Sequence, residues 1–178
     1  MHLYEKTLDS VVIHDGKILT LTKETVELEN GTKALREVVN HNGGVCVVAI
    51  TDENEILFVK QFRYPYKEIL LEIPAGKLDV GEDHYDCGKR ELLEETGSVP
   101  SEYTYMGVMY PSPGYTTEKL HMYYAKGLSF TKQKLDEDEF LDVVKIPYEK
   151  AIEMIMQGEI QDGKTQLAVL KAAQLLSK

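Results

Sequence analysis

The chain has 178 residues, 43% of them hydrophobic and 28% charged, with a formal net charge of −10. The composition is ordinary for a globular protein, and the length allows either one domain with a full core or a main domain with a small additional unit. The acidic balance argues against nonspecific nucleic-acid binding, because phosphate contacts require clustered Lys and Arg side chains. The sequence has neither a run of about 18 apolar residues, which would predict a membrane span, nor the layout of a secretory signal.

Cysteine and histidine usage narrows the chemistry further. Cys46 and Cys87 are the only cysteines and do not form a CxxC pair, and the five histidines are scattered without zinc-site spacing. The absence of a disulfide framework and of a signal sequence indicates a cytoplasmic protein.

The first 42 residues predict a small unit of antiparallel strands. Residues 17–21 and 25–29 alternate at the period of a strand, Asn30-Gly31 is a hairpin turn signal, and residues 32–40 form the expected return strand. A sheet this small is marginal alone, so we expect it to pack on the main domain or on a partner chain.

Residues 43–178 predict an α/β main domain. Residues 45–50 form an apolar run typical of a buried strand. Pro147 and Asp162 mark the starts of two helices. The expected strands are 45–50, 56–59, 69–73, 103–109, 119–125 and 141–146, and the expected helices are 84–96, 148–157 and 164–176. Mixed strands with three helices favour an α/β sandwich over an alternating βαβ series.

The helix at 84–96 carries an unusual acidic face. At about 100° per residue, Glu91, Glu94 and Glu95 share one side, where like charges repel, and they lie in the last turn, where the helix dipole disfavours them. Either this face is solvated or a cation binds there, and oxygen ligands without nearby His or Cys suit Mg²⁺ or Mn²⁺. The opposite side is expected to be buried, and it comprises Tyr85, Leu92, Leu93, Thr96 and the stem of Lys89. Gly88 lies close to the carboxylate side, where it would allow another segment to approach closely.

The stretch that contains this helix resembles the signature of Nudix hydrolases, G-x5-E-x7-R-E-U-x-E-E-x-G-U, in which U is a bulky aliphatic residue. The matching residues are Gly76, Glu82, Arg90, Glu91, Leu92, Glu94, Glu95 and Gly97. Ser98 departs from the pattern at its last position, and we expect Val99 to take over the packing role there.

The resemblance implies a Nudix-type α/β/α sandwich with a mixed sheet. It also implies cleavage of a nucleoside diphosphate linked to another moiety, by attack of water on phosphorus with divalent metals. Glu91 and Glu95 would be the principal metal ligands, and the other ligands would be Glu94, Glu82 and the carbonyl of Ala75. Arg90 would orient the carboxylates through salt bridges.

Further features resemble the ADP-ribose pyrophosphatase branch of this family. They are Ser112-Pro113-Gly114-Tyr115, Glu72-Ile73-Pro74-Ala75-Gly76, Lys60-Gln61-Phe62-Arg63-Tyr64 and the N-terminal strands with Arg36-Glu37. The resemblance implies that Arg63 contacts the diphosphate and that Glu118 binds the terminal ribose. Pro113, Gly114 and Arg36 would complete the substrate site, and the N-terminal strands would form an intertwined homodimer.

The resemblance also implies a general base on a loop near the acidic run 135–140. Glu137 and Glu139 are the candidates, and the sequence does not choose between them; Glu82 is an alternative. The expected activity is Mg²⁺- or Mn²⁺-dependent hydrolysis of ADP-ribose to AMP and ribose 5-phosphate. The alternatives are hydrolysis of another nucleoside diphosphate sugar and a non-catalytic module that senses ADP-ribose.

Overall fold

The computed structural model describes residues 2–137 and 139–176, which divide into two compact units. The N-terminal unit comprises residues 2–43 together with 110–119. The main unit comprises residues 44–109 together with the described residues from 120 onward.

The N-terminal unit is an antiparallel sheet of three strands in the order β1-β2-β3. These strands are β1 (Lys6–Asp15), β2 (Thr20–Glu27) and β3 (Lys33–Asn40). The predicted hairpin is confirmed, since Gly31 adopts a φ of 78° and the Leu28 N–H donates to the Thr32 carbonyl at 2.8 Å. The expected separate strands at 17–21 and 25–29 are instead one strand, β2.

The sequence did not predict β1. The apolar and polar residues of β1 do not alternate as they would in a half-buried strand. In agreement with this, every residue of β1 is exposed. Its conformation follows from pairing with β2, from Lys6 opposite Glu27 to Asp15 opposite Thr20. Residues 110–119 join this unit through hydrogen bonds of Val39 with Tyr115 (2.8 Å) and Thr117 (2.9 Å).

The main unit contains two sheets and three helices. The four-stranded sheet has the order β7-β4-β9-β8, in which β4 runs parallel to β9, and the other sheet has the order β10-β5-β6. The elements are β4 (Gly44–Ala49), β5 (Glu55–Arg63), β6 (Glu68–Glu72), β7 (Ala75–Lys77), α1 (His84–Thr96), β8 (Ser98–Met109), β9 (Leu120–Phe130), β10 (Leu141–Pro147), α2 (Tyr148–Met156) and α3 (Gly163–Leu176). The mixed sheet and the three helices are confirmed; β7 was not predicted, and β8 and β9 are longer than expected.

Strand β4 is buried on both faces, as its continuous apolar run predicts. Cys46 and Val48 face a core that includes Ala168 of α3 and Ala151 of α2. On the other face, Val47 and Ala49 pack in a second cluster with Leu92 of α1 and with Leu57, Tyr123 and Ala125. Helices therefore cover both faces of the sheet, which confirms the sandwich architecture.

Helix α1 has the predicted bounds and is capped at both ends. Asp83 accepts a hydrogen bond from the Tyr85 N–H at 2.8 Å, and Gly97 ends the helix in the left-handed conformation with φ of 68°. The predicted cap of α3 is also present, because the Thr165 N–H donates to Asp162 Oδ2 at 3.0 Å. Within the described residues, no helix is both long enough and apolar enough to cross a membrane.

The predicted buried face of α1 was partly wrong. Tyr85 and Leu93 are 41% and 37% exposed, whereas Cys87, Gly88, Leu92 and Glu95 are buried. The helix turns its Gly88 side inward because that position admits a close approach: a Cβ there would lie 2.0 Å from the Tyr103 hydroxyl.

The expectation for Val99 was also wrong, because Val99 is 43% exposed and Ser98 itself is fully buried. Residue 98 begins β8, and successive strand residues point to opposite faces, so only one of the two can face inward. Ser98 Oγ lies 2.8 Å from Thr96 Oγ1, which gives the buried hydroxyl a polar partner.

Replacing Gly97 by Ala should destabilise the protein through both backbone strain and a steric clash. A left-handed conformation costs about 1–2 kcal/mol for a residue with a Cβ, and here the Cβ would lie 2.4 Å from the Thr131 carbonyl oxygen. We expect a loss of at least about 2 kcal/mol, measured by denaturant unfolding.

Gly158→Ala is the matched control, because Gly158 has a φ of 78° with no neighbouring atom within 4 Å of its Cβ position. This variant measures the backbone strain without a clash, and we expect it to lower the free energy of unfolding by about 1 kcal/mol. Equal losses for the two variants would contradict the clash with Thr131.

Candidate active site

Arg90 of α1 binds three glutamates at once. Its Nε and Nη2 donate to the two carboxylate oxygens of Glu82 at 2.8 and 2.9 Å. Its Nη1 donates to Glu91 at 2.8 Å and to Glu94 at 2.9 Å. Hydrogen bonding from Arg90 lowers the pKa of Glu82 to about 2, so this carboxyl is ionised at neutral pH.

A tight turn before α1 brings Glu82 to Arg90. The Glu82 N–H donates to the Asp79 carbonyl at 3.1 Å, and the Asp79 N–H donates to Glu82 Oε2 at 3.0 Å. Gly81 between them adopts a φ of 82°, which favours glycine. The turn and the arginine together fix the Glu82 carboxylate.

Strand β7 passes directly against the carboxylates of α1. Glu95 is 2% exposed and accepts a hydrogen bond from the Ala75 N–H at 3.0 Å. A Cβ at Gly76 would lie 1.8 Å from the carboxyl carbon of Glu91, so only glycine fits there. This contact is the physical reason for the first glycine of the motif.

The segment after β9 is fixed to the carboxyl end of α1. The Thr131 N–H donates to the Gly97 carbonyl at 2.7 Å, and the Lys134 N–H donates to the Glu94 carbonyl at 3.0 Å. Farther along, Glu139 is half-buried and accepts a hydrogen bond from Gln61 Nε2 at 3.2 Å, whereas Glu137 is exposed. The structure therefore distinguishes two acids that the sequence could not.

Glu95 lies within electrostatic range of Glu91 and Glu139, and these three acids are here called the acidic cluster. Burial raises the pKa of Glu95 well above its usual value, and repulsion from Glu139 and Glu91 adds to that rise. The pKa of Glu91 and of Glu139 is raised as well, again mainly by burial. Such a group of carboxylates is stabilised by a nearby cation.

The donor set fits a hard divalent cation, since its side-chain donors are carboxylate oxygens. Among residues 2–137 and 139–176, no three Asp, Glu, His or Cys side chains are grouped closely enough to enclose an ion by themselves. A bound ion would therefore need additional oxygen donors from backbone, water or substrate, for which the expected carbonyl of Ala75 is a candidate.

Arg63 lies on β5, two residues from Gln61, so both side chains emerge on the same face of the strand. Its Nε and Nη2 donate to the two oxygens of the buried Glu72, each at 2.6 Å. No role was predicted from the sequence for Gln61 or Glu72. The i, i+2 spacing of Gln61 and Arg63 on a strand was the signal available for Gln61.

The remaining predicted substrate residues lie in the N-terminal unit. Arg36 forms an ion pair with Glu5, with Nε to Oε2 at 3.0 Å, and Glu118 Oε1 lies 3.8 Å from His41 Nδ1. Pro113 and Gly114 lie in a turn closed by a hydrogen bond from the Thr116 N–H to the Ser112 carbonyl at 3.1 Å. No hydrogen bond among the described residues joins these four residues to one another.

Two family models match the chain. The NUDIX domain matches residues 40–166, and the nucleoside diphosphate sugar hydrolase N-terminal domain matches residues 5–39.

An ADP-ribose pyrophosphatase from Bacillus subtilis is 43% identical over 94% of this chain and 91% of its own length. A methanol dehydrogenase activator from Bacillus methanolicus is 42% identical over 93% of this chain and 90% of its own length. The fold is also similar to a crystal structure of an ADP compounds hydrolase, with a TM-score of 0.87, 21% identity, and coverage of 97% of this chain and 94% of that one.

Glu95→Gln should stabilise the metal-free protein at alkaline pH. Because the folded-state pKa of Glu95 is raised, the native protein retains a proton that the unfolded chain loses above about pH 4.5, so stability falls as pH rises. The neutral amide removes that loss, and we expect a gain of about 1 kcal/mol, or about 2–4 °C in Tm, at pH 8 in EDTA.

The gain should vanish at pH 4, where the carboxyl of the wild type is protonated in both states. Glu137→Gln, which removes an exposed charge, is the control and should show no such pH-dependent gain. A gain of the same size at both pH values would contradict the assigned cause.

Proposed function

The chain belongs to the Nudix family, and on this basis we propose that it hydrolyses the diphosphate bond of ADP-ribose to AMP and ribose 5-phosphate. The observation that carries the proposal is the complete set of motif carboxylates, with Glu82, Glu91 and Glu94 joined by Arg90. The similarity to the Bacillus subtilis ADP-ribose pyrophosphatase over nearly the whole chain supports the choice of substrate.

The reaction requires divalent metal, for which we propose Mg²⁺ or Mn²⁺. Glu91, Glu95, Glu94 and the carbonyl of Ala75 would hold the ions. When bound, such ions offset the charge of the diphosphate and make water a better nucleophile at neutral pH. Arg90 keeps Glu82, Glu91 and Glu94 in one arrangement, so the ligands need little rearrangement on binding.

Arg63 is the proposed diphosphate contact of the main unit. The fork to Glu72 uses Nε and Nη2, so Nη1 takes no part in it. Arg36, Pro113, Gly114 and Glu118 are the proposed substrate contacts of the N-terminal unit. Arg36 and Glu118 would exchange their present neighbours, Glu5 and His41, for substrate.

Glu139 is the best-supported general base. It is half-buried, Gln61 orients it, and burial raises its pKa toward the range in which a carboxylate accepts a proton efficiently. Glu137 is exposed. Glu82 is a poor base, because its carboxylate is held by Arg90, which lowers its pKa to about 2.

Glu139→Gln should reduce kcat by about 10²- to 10⁴-fold, the range typical of loss of a general base. Glu137→Gln is the matched control on the same loop and should stay within about twofold of wild type. Both are measured at saturating ADP-ribose and Mg²⁺. A large loss for Glu137→Gln with none for Glu139→Gln would reverse the assignment.

A closely related alternative is hydrolysis of another nucleoside diphosphate sugar, which the match of residues 5–39 to an N-terminal domain of such hydrolases supports. The Bacillus methanolicus relative is named for its effect on a dehydrogenase, so its name does not choose among substrates. A non-catalytic module that senses ADP-ribose is less well supported, because every carboxylate of the motif is present.

A hydrolysis screen of ADP-ribose, GDP-mannose and UDP-glucose with identification of products tests the proposal. We expect the highest kcat/KM for ADP-ribose, abolition by EDTA and restoration by Mg²⁺ or Mn²⁺. Preference for another sugar would select the alternative. Binding of ADP-ribose without turnover would favour the sensing module, and full activity in EDTA would exclude the metal-dependent mechanism.

We also propose that residues 1–42 form the dimerisation and substrate-contact unit of a homodimer, and residues 43–178 the hydrolase domain. The exposed apolar side chains of β1, which include Val11, Val12 and Ile13, support this proposal. A sheet face with several exposed aliphatic residues is typical of a surface that a partner covers.

Val11→Asp and Val12→Asp should separate the two faces of β1, because adjacent strand residues point to opposite sides. We expect one of them to convert a dimer to monomer in light scattering and to raise KM for substrate. Met156→Asp, at an exposed apolar side chain that ends α2, is the control and should leave the mass unchanged. A monomeric wild type with normal turnover would refute the shared-site proposal.

We place the enzyme in the cytoplasm as a further proposal. Cys46 and Cys87 are both buried free thiols, as expected in a reducing compartment. Burial raises the pKa of Cys46 to about 12, so this thiol stays protonated and unreactive.

A further inference from the structure

Glu72 is the most completely enclosed acid of the main unit that the proposed reaction does not use. It is 1% exposed, at the end of β6. Two parallel hydrogen bonds of 2.6 Å join it to Arg63, the strongest geometry available to an arginine and a carboxylate. Burial would raise its pKa, but hydrogen bonds from Arg63 and the charge of Lys164 hold it below its usual value, so Glu72 remains ionised.

A second cation fixes Glu72 from the other side. Lys164, in the first turn of α3, contacts the Oε2 atom of Glu72 and lies 3.0 Å from Asp162 Oδ2. The backbone beside Glu72 is fixed as well, because the Ile73 N–H donates to Thr165 Oγ1 at 2.9 Å. Glu72 is therefore a rigid anchor, whereas Arg63 extends from it toward solvent with 37% of its side chain exposed.

Arg63 lies close to the acidic cluster, because it emerges on the same face of β5 as Gln61, which donates to Glu139 at 3.2 Å. Its anchor Glu72 lies three residues before Ala75, whose N–H donates to Glu95. The charge of Glu95 contributes to the raised pKa of Arg63, after the larger effect of hydrogen bonding to Glu72. In turn, Arg63 opposes the rise that burial causes in the pKa of Glu95 and Glu139. A guanidinium released from Glu72 would find Glu95 and Glu139 nearby, whose carboxylates accept hydrogen bonds from neutral groups, the Ala75 N–H and the Gln61 amide.

We propose that Glu72 is a positioning residue that holds Arg63 away from the acidic cluster. The cluster then stays available to metal ions, and Nη1 of Arg63 stays available to the diphosphate. This inference rests on the proposed function, since it concerns the same metal ions and substrate. It adds that Glu72 protects the metal site from competition by the enzyme's own arginine.

The inference predicts that loss of Glu72 weakens metal binding without touching any ligand. In Glu72→Gln the amide NH₂ replaces one acceptor of the fork, so Arg63 keeps at most one of its two bonds. The released arginine would pair with the acidic cluster and compete with the ion. We expect Mn²⁺ to bind about tenfold more weakly, measured by electron paramagnetic resonance of free Mn²⁺ without substrate, and KM for ADP-ribose to rise about tenfold.

A double-mutant cycle separates positioning from a general structural effect. Arg63→Ala alone should bind Mn²⁺ at least as tightly as wild type, because a competing cation is gone. Arg63→Ala/Glu72→Gln should bind Mn²⁺ as Arg63→Ala does, although KM stays high. If Glu72→Gln weakens Mn²⁺ binding equally with and without Arg63, Glu72 has a structural role and the inference is overturned.

Lys164→Met is the matched control, because it removes the other cation on Glu72 and leaves the fork to Arg63 intact. It should leave Mn²⁺ affinity within about twofold of wild type. If Glu72→Gln does not fold, Glu72→Asp provides the test, since it keeps the buried charge but is too short for both bonds; it should weaken Mn²⁺ binding by several-fold. Unchanged Mn²⁺ affinity and KM in the folded Glu72 variant would also overturn the inference.

Failure of the proposed function gives a different result. A wild-type protein that neither binds Mn²⁺ nor hydrolyses any nucleoside diphosphate sugar would overturn the function and this inference together. A wild-type protein that does both, with Glu72 variants that behave identically, would overturn only the role of Glu72.

Discussion

The contact of Arg90 with three glutamates is the interaction on which the candidate site depends. Without it, Glu82, Glu91 and Glu94 would repel one another. Glu91 and Glu94 also lie toward the carboxyl end of α1, where the helix dipole disfavours negative charge. The helix has no basic residue in its last turn to offset that cost. Backbone N–H groups of Thr131 and Lys134 supply part of the compensation, because they bond carbonyls at this end. Those same bonds fix the start of the segment that carries Glu139.

Arg90 offsets the charge of Glu82, Glu91 and Glu94, but it does not contact the carboxylates of Glu95 and Glu139. The Glu95 carboxylate accepts a hydrogen bond from the Ala75 N–H, and the Glu139 carboxylate accepts one from the neutral amide of Gln61. The other arginine nearby, Arg63, is committed to Glu72. In the main unit, Arg90 and Arg63 therefore form ion pairs with Glu82, Glu91, Glu94 and Glu72, whereas Glu95 and Glu139 accept hydrogen bonds from neutral groups. This uneven pairing is what a cation-binding site requires, since a fully neutralised cluster would have no affinity for an ion.

The sequence predicted well whatever depends on local pattern. The bounds of α1, its glycine cap and the Asn30-Gly31 hairpin follow from caps, periodicity and turn chemistry, and all three are confirmed. Strand β1 was missed because its conformation comes from pairing alone. Tyr85 and Leu93 were misplaced because the side of α1 opposite the acidic face was expected to be the buried one. The helix instead buries Gly88 and Glu95, which contact other strands. The difference in environment between Glu137 and Glu139 arises partly from Gln61, which is far away in sequence, so no local pattern could reveal it.

The burial of Glu95 argues most directly that this face of α1 serves a reaction and not the fold. A neutral side chain of similar shape would fill the same space without the cost of placing a charge among like charges at 2% exposure. Stability alone would therefore favour glutamine at this position, and the carboxylate destabilises the empty protein as pH rises. A divalent ion bound by Glu95, as proposed, would reverse that sign, because the charge that is costly alone would become a ligand. The burial of Glu95 therefore supports the proposal that the protein works with an ion in place.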